Sequence, residues 1–165
     1  MAELAAAHPG ERIYAAAFHL FYVDDIQILP PALAVNSEAA VHESYGCSTR
    51  FVPPEWRWDV LDGVTEVMAP WYPRLSEEYL ADASDKDAAM AALESAHDSA
   101  MARVCIAMTA TARRGGIHGS PEFVVVILDG QRGDEEAALI RRSVDPRVLR
   151  TLPDLVGNLE QLEGA

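Results

Sequence analysis

Asp24 and Asp25 are adjacent carboxylates in an apolar stretch, with Phe-Tyr-Val before them and Ile-Gln-Ile after. Paired acids in such a place can hold divalent cations, where carboxylates clamp two metal ions about a displacement reaction. That chemistry needs a third carboxylate, and the upstream acids, Glu3 and Glu11, fall in a lead-in and a turn. Asp129 and Asp134 follow a strand-like run and add two more acids. A four-carboxylate site at strand ends is therefore one reading, and it would suit a metal-assisted hydrolase or a small-ligand-binding domain. The competing reading makes Asp24-Asp25 a polar hairpin turn, because Asp tolerates tight-turn geometry.

Other reactive patterns are weaker. The five histidines, His8, His19, His42, His97 and His118, include no H-E-x-x-H and no pair at i, i+4 spacing. His19 falls within a strand-like run and His97 on an apolar helical stripe, which suits core positions. Cys47 and Cys105 form no C-x-x-C, and Cys105 falls on the same inward stripe, where a thiol is inert packing. Gly115-Gly116-Ile117-His118-Gly119 lacks the Lys-Ser/Thr of a phosphate loop and precedes a strand rather than a helix. It reads as a helix exit. No catalytic residue, metal ligand or cofactor site is assigned from these patterns.

Aromatic residues offer binding rather than catalysis. Trp56 and Trp58 share one face of an extended segment, ringed by Glu55, Asp59 and Asp62, with Trp71 and Tyr72 further on. Aromatics at such spacing can be core. An aromatic cluster among acids also matches a protein-binding patch, since such patches favour Trp and Tyr anchors.

The elements that must position these groups follow from periodicity. The runs 12–23 and 26–34 predict a hairpin turning at Asp24-Asp25, with Pro30-Pro31 forcing a bulge or an edge position. Asn36 predicts an N-cap for a helix over 37–45. Val64, Val67, Met68, Trp71 and Leu75 have helical spacing that Pro70 and Pro73 divide into two pieces. Ser84-Asp85-Lys86-Asp87 resembles a capping box opening a long helix, with a stripe from Met90 to Met108 and a stop at Gly115-Gly116. A central strand near 122–128, built on Phe-Val-Val-Val-Ile-Leu, reads as buried on both faces. Asp134 caps a helix over 135–143, Asp145-Pro146 opens another, and Pro153 restarts the tail. The sum is an α+β fold over 1–165 as one domain, a small, mostly antiparallel sheet packed with several helices.

Composition narrows the function classes. The 165 residues are half hydrophobic and 24% charged, with net charge −13. Residues 1–82 carry 13 acids against four Arg, whereas 83–165 carry 13 acids against nine bases. An acidic chain repels phosphate backbones, which argues against nucleic acid and for a basic partner steered to the N-terminal half. No apolar run approaches the roughly 18–20 residues of a membrane span. The opening residues, Met-Ala-Glu-Leu-Ala-Ala-Ala-His, carry neither the basic patch nor the apolar stretch of a secretory signal. A cytoplasmic protein with free thiols is expected.

Several segments in order resemble the bacterial family known as domain of unknown function 4303. They are Ile13–Asp25, Asn36-Ser37-Glu38-Ala39, Pro53–Trp58, Arg114–Gly119, Val124–Leu128, and Gly133-Asp134 leading to Arg142-Ser143-Val144. The chain departs from that pattern at His118, where an aromatic is usual, and at Asp145-Pro146, where Asn-Pro is. The resemblance implies an α+β domain with no established reaction, and a context beside secreted toxins as an immunity protein. The expectation is a non-enzymatic acidic binding protein, most concretely an immunity protein or antitoxin that blocks a basic toxin domain. Asp24, Asp25, Glu55, Trp56, Trp58 and Asp59 are the expected contact residues, and a homodimer through an exposed edge strand is the duller alternative.

Overall fold

The strand Ile13–His19 lies between two others in the main sheet, and its seven residues are all buried. A computed structural model of the chain describes residues 2–19, 28–44, 47–60, 66–115 and 119–164. In order, the elements are α1 (Ala2–Ala7), β1 (Ile13–His19), β2 (Ala32–Ser37), β3 (Glu43–Ser44), β4 (Cys47–Ser48) and β5 (Trp58–Asp59). They continue with α2 (Tyr72–Leu80), α3 (Lys86–Gly115), β6 (Gly119–Ile127), α4 (Glu136–Ser143), α5 (Pro146–Leu149) and α6 (Pro153–Gly164). The main sheet has the order β5-β2-β1-β6, and β3 and β4 form a separate ribbon. β2 runs antiparallel to β1 and to β5, while β6 runs parallel to β1. The fold is α+β with a mostly antiparallel sheet.

A register shift between Ile13 and Ala15 sorts the side chains of β1. Ile13, Ala16 and Phe18 face one layer, whereas the adjacent Tyr14 and Ala15 both face the other. Two neighbours on one face is what a β-bulge produces. On the first face lie Met101, Ala102, Cys105 and Ala112 of α3. On the second lie Trp56, Ile140, Leu152, Leu155 and Leu159. Ile28, Tyr72, Met90 and Leu93 form a smaller cluster that ties α2 to the start of α3. Among the described residues no helix is long and apolar enough to cross a membrane.

β6 corrects the expectation of a central strand. It is buried and β-branched as predicted, yet it borders the sheet among the described strands. Its outer edge is satisfied by helix side chains. Thr109 Oγ1 accepts from Val125 N–H at 2.8 Å and donates to Val125 C=O at 3.3 Å. Arg113 Nε donates to Phe123 C=O at 2.8 Å, and Ser143 Oγ accepts from Ile127 N–H at 3.1 Å. Buried backbone groups need partners, and an edge so occupied cannot template another strand.

Helix ends agree with sequence where the cap is local. Asp85, one residue after the expected Ser84, accepts from Ala88 N–H at 3.0 Å and opens α3. Asp145 accepts from Arg147 N–H at 2.7 Å and opens α5, and α6 starts at Pro153. Among the described residues the helix expected over 37–45 is absent. Asn36 and Ser37 complete β2, and only a 3-10 turn, Glu38–Ala40, follows. Asn36 Nδ2 donates to Tyr14 Oη at 3.1 Å across the sheet, while Oδ1 accepts from Ser37 N–H. Those bonds occupy the side chain that would have capped. Of the second hairpin strand expected over 26–34, residues 26–27 lie outside the described residues; among the described ones β2 spans Ala32–Ser37, so Pro30-Pro31 precedes it. Asp134 lies inside the 3-10 turn Gly130–Glu135 rather than capping α4. The expected turn at Asp24-Asp25 lies outside the described residues.

Candidate functional site

The aromatic patch expected around Trp56 and Trp58 is divided by the sheet. Period-two alternation does not reach back to Trp56, because the 3-10 turn Pro53–Glu55 immediately precedes it and the strand begins at Trp58. Trp56 is buried on the second face, with Nε1 donating to Thr49 C=O at 3.0 Å and its ring edge-on to Tyr14. Trp58 packs half-buried against the first face, 5.0 Å from the His8 ring and under the Arg57 guanidinium. Glu55 and Asp59 are exposed. Asp24 and Asp25 lie outside the described residues, so four of the six expected contact residues are located and two of those form no common surface. Of the other strand-end acids, Asp129 is buried beyond β6 and Asp134 is exposed. Among the described residues, no three His, Cys, Asp or Glu side chains gather as a metal-holding group.

The larger apolar surface lies on α2 and the turn before it. Pro73 stands in its first turn, where its missing N–H costs no helical bond. Tyr72 and Ser76 face inward. Ser76 Oγ accepts from Ile28 N–H at 3.1 Å, and Tyr72 Oη lies 2.9 Å from His97 Nε2. The neighbouring row carries Trp71, Leu75 and Tyr79, and Val67 precedes it by four residues. These four are 63%, 43%, 47% and 68% exposed. The inward row thus buries Tyr72 and Ser76, with Leu80 packed beside them, while a second apolar row, Trp71, Leu75 and Tyr79, is left in water, which an ordinary amphipathic helix would not do.

Charge surrounds that row. Glu66, Glu77, Glu78, Asp82, Asp85 and Asp87 are all exposed, against Arg74 and Lys86 over 66–87. Arg74 is already engaged, its guanidinium 5.8 Å from the Trp71 ring centre and 3.9 Å from Glu78. Behind the face, the element is held by buried polar groups. Burial pushes the Tyr72 hydroxyl up to about 12. Burial, with the nearby Arg132 charge, pushes His97 down to about 4. Arg132 ion-pairs with Glu94, with Asp98 at 2.7 Å and with Glu135 at 3.4 Å, linking the turn before α4 to α3.

Sequence spacing marked Trp71 and Leu75 as one helical row but did not place them outward. The available signal was Trp71-x3-Leu75-x3-Tyr79 running beside Tyr72-x3-Ser76-x3-Leu80, two rows of which only one can meet the core. A comparison with protein-family models, curated proteins and solved structures finds no match to this chain.

Proposed function

We propose that the chain is a non-enzymatic cytoplasmic binding protein that captures a basic protein partner on the outer face of α2, in the manner of an immunity protein holding a toxin domain. The observation that carries this reading is the exposed row Trp71, Leu75 and Tyr79 set among carboxylates. Aromatic anchors supply the contact energy of an interface, and acids around them steer a cationic partner into register. A second copy of this chain is the poorer occupant, because it would bring six more carboxylates against the same six and add −13 to −13. The resemblance to domain of unknown function 4303 belongs to the same proposal.

The test uses wild-type and Trp71→Ala chains as paired baits in the native cell, with the captured protein then titrated in purified form. A partner held by the wild type should lose about 2 kcal/mol, or about 30-fold in affinity, to Trp71→Ala. Its affinity should also fall as salt rises from low to physiological strength. A partner that binds both chains equally, or whose binding ignores salt, would refute the reading. Neutralisation of that partner's toxicity by the wild type alone separates an immunity role from simple binding.

A further inference from the structure

His19 closes β1 and is only 4% exposed, yet among the described residues neither of its ring nitrogens has a hydrogen-bond partner. Buried polar groups are ordinarily satisfied, so an orphaned imidazole asks what completes it. The ring lines a pocket of about 350 Å³, within the roughly 300–1,000 Å³ typical of small-molecule sites. Because β1 and β6 are parallel, with Phe18 opposite Ile127, His19 at the end of β1 and Asp129 just past β6 lie at the same end of the sheet.

The polar lining is acidic. Asp129, just past β6, is 2% exposed, and Glu136 begins α4. Both line the pocket with His19 and Asn158, and no Lys or Arg does so among the described residues. Burial, and then the Asp129 charge, raises the Glu136 carboxyl above its ordinary range. Burial lowers His19, against the pull of Asp59 and Asp129, so near neutrality the imidazole is uncharged and one ring nitrogen is an acceptor. Asp129 already accepts from Gln131 N–H at 3.3 Å, and a carboxylate accepts several bonds. Phe51, Pro53 and Leu162 supply apolar walls.

We propose that this pocket binds a small organic cation, its ammonium or amidinium head donating to Asp129, Glu136 and the imidazole of His19, and its apolar body resting on Phe51, Pro53 and Leu162. A metal ion is the poorer fit, since among the described residues no three His, Cys, Asp or Glu side chains are grouped closely enough to hold one, whereas an ammonium or amidinium head reaches more widely spaced acceptors through longer N–H bonds. The site is separate from the face of α2 and stands whether or not that face docks a protein.

Benzylamine and benzamidine are the probes, with benzyl alcohol and benzoate as neutral and anionic controls, followed by calorimetry and by histidine ring resonances. His19→Gln identifies the His19 signal by its loss. The two cations should bind saturably and move that signal, while the alcohol and the acid should not. Glu136→Gln removes a like charge beside Asp129 and so should keep the fold, which its melting curve checks. It should weaken the cations by about tenfold or more, as expected for a lost charge-assisted bond. Trp71→Ala should leave them unchanged. Equal binding of benzoate or benzyl alcohol would overturn the proposal. So would the absence of any saturable cation binding, or a folded Glu136→Gln chain with affinity within about twofold of wild type.

Discussion

Thr109→Val tests whether helix side chains hold the border of the sheet. The Thr109 hydroxyl serves both backbone groups of Val125, accepting at 2.8 Å and donating at 3.3 Å, and Thr109 is 4% exposed. Valine keeps the branched shape and removes both bonds. Each orphaned buried group costs about 1–3 kcal/mol, and the added apolar contact returns about 1 kcal/mol, so the net loss should be about 3 kcal/mol. For a domain of this size that lowers the melting temperature by about 6–12 °C. Thr109→Ser keeps the hydroxyl and loses one methyl, worth about 1 kcal/mol. Urea unfolding of the two variants measures the difference, and amide exchange at Val125 localises it. If the serine variant is as destabilised as the valine variant, packing rather than hydrogen bonding holds that edge. A valine cost under about 1 kcal/mol would mean that water reaches the strand.

Two further perturbations probe the buried polar groups behind α2. Arg132→Met leaves Asp98, 5% exposed, without its 2.7 Å partner and should cost about 3–5 kcal/mol at neutral pH. Burial already raises the Asp98 carboxyl, and losing Arg132 raises it further, so protonation favours the folded variant; the deficit should therefore shrink when unfolding is repeated at pH 4. His97, held down to about 4 from an ordinary 6.5, is buried neutral while the unfolded chain takes up the proton. Its contribution is complete above pH 6.5 and is lost as pH falls towards 4, amounting to about 3 kcal/mol. Stability measured across that window should fall more steeply for the wild type than for His97→Gln, and parallel curves would refute the assignment.

Local chemistry was legible in the sequence. Asp145-Pro146 opens α5, Pro153 opens α6, and α3 runs from the acid-rich cap to Gly115. Each depends on groups a few residues apart, where one carboxylate meets one amide or a ring fixes one angle. The burial of Phe123–Leu128 was legible for the same reason, because an unbroken apolar run has no face to leave in water.

Tertiary structure decided what depends on partners distant in sequence. Asn36 has the composition of a helix cap, but Tyr14, 22 residues away, takes its amide and leaves it in a strand. The run at 123–128 cannot say whether its neighbours are two strands or one strand and a set of helix hydroxyls. Thr109 and Ser143, each 16 residues from its bonding partner, settle that. Trp56 and Trp58 look like one patch until the turn at Pro53–Glu55 sends them to opposite faces. The outward row of α2 and the His19 ring, unpartnered among the described residues, are likewise set by which side of each element the core occupies. Sequence determined where the chain bends and which segments must hide from water; the three-dimensional packing alone chose which polar groups were consumed inside and which were left to meet something else, because a hydrogen bond is spent on whichever partner the fold brings within about 3 Å.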